Sequence, residues 1–223
     1  MHAKQRIALY GGTFDPVHLG HLDVARKVCE LFEIEKVLFI PAQVAPHKLG
    51  RAVSAPIHRY AMLALATQSE PSLAISPFEI EAPDRRYTVN TLEHFVGTLG
   101  ETSDLFFVMG ADSWTEITTW RDWKNLLTMV NHIVVTRPGY DVQGPPEMKD
   151  RIVDLRSRAN LNSVVDGAEP RIFLTDAVMK DVSATQIRLL ASEGRFDELT
   201  QFVSAPVAQY IQKYALYRES HEA

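Results

Sequence analysis

Residues Tyr10 to Leu22 read Y-G-G-T-F-D-P-V-H-L-G-H-L, thirteen positions that hold the end of a strand, a glycine turn and the start of a helix. Just upstream, Ile7-Ala8-Leu9-Tyr10 is a short apolar run of the kind a buried strand needs. Gly11 and Gly12 end it with two positions lacking a Cβ, so main-chain N–H groups there can approach an anion closely. Asp15-Pro16 predicts a helix start: the carboxylate can accept from the orphan N–H groups of a first turn, and proline suits the first helical position. Val17, Leu22, Ala25 and Val28 then recur at roughly helical spacing. His18 and His21, three apart, project from one face of the first turns beside the positive end of the helix dipole. A strand, a glycine turn and a helix N-terminus in succession form a phosphate-binding arrangement, to which two imidazoles add donors. Taken singly, a glycine pair or a helical histidine has an ordinary structural meaning. The H-x-x-H spacing lacks the glutamate of H-E-x-x-H and would need further ligands, so no metal ligand is assigned.

A chain of 223 residues can bury a substantial core without disulfides or metals, and 46% hydrophobic with 23% charged residues is an ordinary globular composition. The formal net charge of -5 supplies no global basic field for nucleic acid, so an anionic ligand must be held by local groups. The single cysteine, Cys29, cannot form an internal disulfide and is expected as a small apolar residue buried in the first helix. No apolar run approaches the length of a membrane span, and no signal-peptide core precedes the first strand. A cytoplasmic enzyme acting on small molecules, without nucleic acid or membrane partners, is the expectation; homo-oligomerisation is left open.

Strand and helix patterns alternate along the chain. Val37-Leu38-Phe39-Ile40 is a second apolar run stopped by Pro41, which completes a βαβ unit and implies parallel strands. Pro56 to Thr67 reads as a helix with Ile57, Tyr60, Met62, Leu63 and Ala66 inside; Leu73 to Ser76 follows as a short strand. Thr88 is a candidate N-cap for a helix closed by Gly100. Leu105 to Met109 is the most hydrophobic strand and ends at Gly110. A helix around Trp120 to Met129 precedes a strand over Ile133 to Thr136, and Arg171 to Thr175 reads as a last strand. Ser183 can cap a helix over Ala184 to Glu193 ended by Gly194, and another helix runs from Ser204 or Pro206 to about Tyr217. Residues 139 to 168 are the least regular, with a helix over Pro145 to Arg158 conceivable. The expected architecture is a Rossmann-like α/β fold: a doubly wound parallel sheet with helices on both faces and a small C-terminal helical portion. A single domain is expected over residues 1–223, with a core over 1–180 and the last helices over 181–223. Such sheets bind ligands at the carboxyl ends of their strands.

Several further groups fall at that edge. Gln43 to Lys48, Q-V-A-P-H-K, follows the second strand and brings His47 and Lys48 to the same side as His18. Arg85-Arg86-Tyr87-Thr88 reads on its own as a charged loop with an N-cap. Asp112, in Gly110-Ala111-Asp112-Ser113, suits a ribose hydroxyl because it follows a parallel strand. Trp120 and Trp123, three apart on the expected helix, have a packing meaning. Arg137, in Arg137-Pro138-Gly139-Tyr140, faces an anion or merely neutralises its loop. In Val182-Ser183-Ala184-Thr185-Gln186-Ile187-Arg188, the two hydroxyls, a helix N-terminus and a guanidinium make an anion-binding set, although each has an adequate structural role alone.

G-G-T-F-D-P-V-H-L-G-H resembles the signature of the nucleotidyltransferase superfamily with an H-x-G-H motif, and specifically that of bacterial nicotinate-nucleotide adenylyltransferases. V-S-A-T-Q-I-R resembles the second motif of that superfamily, I-S-x-T-x-I-R, in the right order about 160 residues later. The resemblance implies transfer of AMP from ATP to nicotinate mononucleotide, giving nicotinate adenine dinucleotide and pyrophosphate in NAD biosynthesis. By it, Gly11, Gly12, Thr13, Phe14, His18, His21, Gly110, Asp112, Ser183, Thr185 and Arg188 bind ATP, with His18 and His21 as the catalytic donors. His47, Lys48, Tyr87, Thr88, Trp120 and Arg137 bind the mononucleotide, Tyr87 and Thr88 through their main chain and Trp120 by stacking on the pyridine ring. Trp123 remains a packing residue. Mg²⁺ is expected as a cofactor brought in with ATP, without dedicated protein ligands. Ala45 departs from the family pattern, which more often has two prolines before this histidine. Related H-x-G-H enzymes acting on nicotinamide mononucleotide or phosphopantetheine, and a catalytically silent nucleotide-binding module, are the alternatives.

Overall fold

The computed structural model describes residues 4–43, 53–82, 87–136, 142–156, 169–176 and 182–218. In chain order they form β1 (Gln5–Gly12), α1 (Leu19–Phe32), β2 (Lys36–Pro41), α2 (Pro56–Thr67) and β3 (Leu73–Ile75). Next come α3 (Thr88–Leu99), β4 (Ser103–Gly110), α4 (Ala111–Thr115), α5 (Trp123–Met129) and β5 (Asn131–Val135). The described chain ends with β6 (Ile152–Asp154), β7 (Ile172–Thr175), α6 (Ala184–Ser192), α7 (Phe196–Leu199) and α8 (Ala205–Lys213). Short 3₁₀ turns occupy Ile117–Thr119 and Pro146–Arg151.

The described strands make one seven-stranded sheet in the order β3-β2-β1-β4-β5-β7-β6, and every pairing is parallel. Parallel strands are covered on both faces, which explains why the central ones read as unbroken apolar runs rather than as alternation. Ala8 and Tyr10 of β1, with Phe106 and Val108 of β4, pack against α1, α2 and the C-terminal helices. Ile7 and Leu9, with Leu105, Phe107 and Met109, pack on the other side against α3, α4 and α5. This is the doubly wound Rossmann-like sheet expected from the alternating pattern. Because β2 lies on one side of β1 and β4 on the other, the chain reverses its winding between them. A crevice opens at that switch point, outside the carboxyl ends of β1 and β4, where ligands of such sheets bind.

Tertiary context moves several local boundaries. β1 continues through the glycines, with Gly11 opposite Ile40 and Gly12 opposite Pro41. The first helix is capped by His18 rather than started by Asp15-Pro16, because the Asp15 carboxylate is taken up by other partners. Thr88 is the first residue of α3 and Tyr87 its N-cap. Trp120 is not helical: it ends the 3₁₀ turn, and α5 begins at Trp123 after Asp122 in a left-handed conformation. The helix conceivable over Pro145 to Arg158 is instead a 3₁₀ turn followed by β6, since Ile152 and Val153 are drawn into pairing with Ile172 and Phe173. Gly144 admits this, for a Cβ there would collide with Ile152 and Trp114. The last helix stops at Lys213, short of Tyr217. Cys29 is half-buried and beside the core rather than within it.

Candidate active site

The crevice is lined first by the turn after β1. Phe14 sits at a φ of 51°, and its ring turns back over Gly12, where an added Cβ would lie 2.8 Å from the ring edge. The ring is buried among Tyr10, Phe39 and His21, with centroids 5.5, 5.4 and 5.0 Å away, all edge-to-face. Gly12 is therefore needed to admit an aromatic ring, and any contact of Phe14 with a nucleotide would have to come from its main chain.

His18 caps α1, and its ring stacks on that of His21 with centroids 3.6 Å apart and planes 21° from parallel. The His18 main-chain N–H donates to His21 Nδ1 at 3.2 Å. An accepting Nδ1 puts the proton of a neutral His21 imidazole on Nε2, the tautomer that can donate to an oxyanion. Burial pushes the His18 imidazole down to about 4, so this ring is neutral at physiological pH. Its Nδ1 is shut off from solvent. Gly20 leaves room beside the stack: a Cβ there would stand 3.1 Å from His18 Nδ1, tighter than an ordinary contact. The glycine between the histidines thus has a steric function that neither histidine reveals alone.

The second motif meets the first directly. Ser183 is the N-cap of α6, yet its side chain makes no capping hydrogen bond; like Thr185 it is exposed. Arg188 donates through Nη1 to the Asp15 carbonyl at 2.7 Å and through Nη2 to Thr185 Oγ1 at 3.1 Å. Asp15 itself is buried, accepting from Tyr217 Oη at 2.8 Å and from the Ser54 N–H at 3.3 Å.

Gly110 ends β4 beside β1, and Asp112 is exposed in the first turn of α4. Across the sheet edge, Tyr87 at the start of α3 lies under the Arg121 guanidinium, 4.8 Å from the ring centroid, which ties the Tyr87-Thr88 segment to the segment after half-buried Trp120. His47, Lys48 and Arg137 lie outside the described residues, as do Arg85 and Arg86. Among the described residues no group of three or more His, Cys, Asp or Glu is placed to hold a metal ion. Nor is any helix there long and apolar enough to cross a membrane.

Arg59, and not Ile57 as the helical spacing predicts, lies on the inner side of α2: Ile57 is 66% exposed and Arg59 only 1%. Arg59, Met62, Leu63 and Ala66 share one helical face, so the spacing marks Arg59 as a charged residue within an apolar stripe. Burying a guanidinium is costly unless its donors are satisfied. Here Nη1 reaches Thr13 O at 2.7 Å, Nη2 reaches Ala42 O at 2.6 Å and Gln43 O at 3.1 Å, and Nε reaches Ser54 O at 3.0 Å. Burial lowers its pKa, opposed by the neighbouring Asp15 charge.

A doubly wound sheet with a histidine pair and an arginine-bearing helix N-terminus at its switch point is the arrangement of an α/β nucleotidyltransferase. The sequence model described as cytidylyltransferase-like matches residues 9–190. Chains named "Probable nicotinate-nucleotide adenylyltransferase" match over nearly their full length. That of Thermoanaerobacter sp. (strain X514) is 35% identical, with 100% of this chain and 99% of the relative covered. That of Symbiobacterium thermophilum is 36% identical, with 97% and 98% covered. The chain belongs to the cytidylyltransferase-like family and, within it, to the nicotinate-nucleotide adenylyltransferases. Its fold is shared with the Plasmodium falciparum nicotinic acid mononucleotide adenylyltransferase complexed with NaAD, at a TM-score of 0.70 and 17% identity over 96% of this chain and 97% of that one. The same enzyme complexed with APC gives 0.69 at 18% identity, with the same coverage.

Proposed function

We propose that this protein transfers AMP from ATP to nicotinate mononucleotide, forming nicotinate adenine dinucleotide and releasing pyrophosphate. The observation that carries the reading is the union of the stacked His18–His21 pair with the Arg188-bearing helix through the Asp15 carbonyl. Full-length likeness to relatives bearing that activity in their names supports the choice of substrate.

In the reaction, a 5′-phosphate oxygen of the mononucleotide attacks the α-phosphorus of ATP. The new P–O bond forms as the bond to the β-phosphate oxygen breaks, and pyrophosphate leaves with the electron pair. The nucleophile is already anionic at neutral pH, so no side chain need become covalently attached. The protein's task is alignment and charge stabilisation. His18 and His21 donate to phosphate oxygens as charge gathers on them; the His18 N–H on His21 Nδ1 leaves His21 Nε2 to serve that role. Main-chain groups of Gly11, Gly12, Thr13 and Phe14 form the floor, and Asp112 beyond Gly110 receives a ribose. Ser183, Thr185 and Arg188 hold the leaving pyrophosphate. Tyr87, Thr88 and Trp120 take the pyridine end, and His47, Lys48 and Arg137 the mononucleotide phosphate. Mg²⁺, carried on the phosphates of ATP, supplies further charge neutralisation when bound.

The test is pyrophosphate release with ATP and Mg²⁺, offering nicotinate mononucleotide, nicotinamide mononucleotide and phosphopantetheine separately. Turnover chiefly with the first is expected. Release only with another acceptor would replace the substrate, and ATP binding without release from any would replace the reaction.

A further inference from the structure

The fork of Arg59 does more than satisfy itself. Its Nη1 holds the Thr13 carbonyl in the turn that follows β1, and its Nη2 holds the carbonyls of Ala42 and Gln43, which follow β2. These segments leave neighbouring strands at the same edge of the sheet. On the function proposed above, the first belongs to the half of the site that cradles ATP and the second to the half that receives the mononucleotide. A planar guanidinium fixes the angle and distance between its two ends, which a flexible ammonium does not. The anchor is itself immobilised. Arg59 Nε holds Ser54 O while the Ser54 N–H donates to the Asp15 carboxylate, and Tyr217 Oη donates to the same carboxylate.

We propose that Arg59 is a positioning residue for adenylyl transfer: by clamping the two segments to one rigid group it sets the separation of the two substrates. It touches neither substrate. In-line attack is sensitive to errors of about 1 Å, enough to cost on the order of 100-fold in rate. A residue that sets separation should therefore matter little for either substrate bound alone and much for any step that spans both halves. The dinucleotide product spans both at a fixed length, so its affinity reports the separation without chemistry.

The experiment compares wild type with Arg59→Lys and Arg59→Gln, measuring melting temperature, steady-state kinetics, and calorimetric affinity for ATP, nicotinate mononucleotide and nicotinate adenine dinucleotide. In a folded variant, affinity for each mononucleotide should stay within about 3-fold, while dinucleotide affinity falls about 10-fold and kcat by roughly 10- to 100-fold. Lysine, which keeps the charge but not the fork, should not rescue kcat. Equal losses for single substrates and dinucleotide, or a kcat at the wild-type level, would overturn the positioning role. Failure of both variants to fold would overturn it too, because the side chain would then serve the fold alone. A wild-type protein that neither turns over nor binds the dinucleotide would instead remove the functional reading on which the proposal rests, and the proposal with it.

Discussion

Arg188 Nη1 donates to the main-chain carbonyl of Asp15 at 2.7 Å, so motifs 173 residues apart in the chain share one hydrogen bond at the mouth of the crevice. The bond is charge-assisted, and the second arm of the same fork holds Thr185 Oγ1. Arg188→Lys keeps the charge but cannot hold both partners. Its kcat/KM for ATP should fall about 10- to 100-fold, chiefly through KM. Pyrophosphate-release kinetics decide this, and an unchanged KM for ATP would separate Arg188 from nucleotide binding.

Gly20 and His18 give a second test. A Cβ at position 20 would crowd His18 Nδ1, while alanine is otherwise the better residue in a helix by roughly 0.5–1 kcal/mol. Gly20→Ala should lose about 10-fold in kcat without losing melting temperature, and His18→Ala about 100- to 1000-fold. Full activity of Gly20→Ala would mean that the placement of the His18 ring does not matter to the reaction.

Tyr217 lies at a φ of 66°, uncommon for a residue with a side chain, and its hydroxyl donates to the buried Asp15 carboxylate. Tyr217→Phe keeps the ring and removes the donor. It should destabilise the protein by about 1–3 kcal/mol in urea unfolding, the usual consequence of leaving a buried acceptor short. A stability equal to wild type would show that solvent replaces the hydroxyl.

Acid should weaken the fold through His132 and the half-buried His18. His132, completely buried at the start of β5 with Nδ1 2.8 Å from Val130 O, is pushed down to about 4, as is His18, in both cases by burial. The unfolded chain therefore binds more protons between about pH 6.5 and 4, and stability rises with pH across that window. The stabilisation is complete above about pH 6.5 and is lost as pH falls towards 4. Melting temperature against pH should show this loss, and His132→Asn should flatten part of it. An identical slope in wild type and variant would place the acid sensitivity elsewhere.

The sequence by itself determined the alternation of strand and helix, the parallel sheet, and the two motifs at its carboxyl edge. Each rests on short-range pattern: unbroken apolar runs for strands covered on both faces, glycines where strands end, and small polar residues at a helix start. Ser183 shows the limit of such signals, for it stands at the N-cap but its hydroxyl does not cap. What only the tertiary structure decided depends on partners far away in the chain. β6 exists because β7 is there to pair with it. Asp15 reads locally as a helix cap, but its carboxylate is claimed by Tyr217 and Ser54, so the capping position falls to His18. Arg59 looks like an intrusion into an apolar stripe until the carbonyls of Thr13, Ala42, Gln43 and Ser54 converge on it. Residue spacing can show which side chains share a face of one element. Where carbonyls from three segments meet is set by the packing of the sheet, and no local pattern records it.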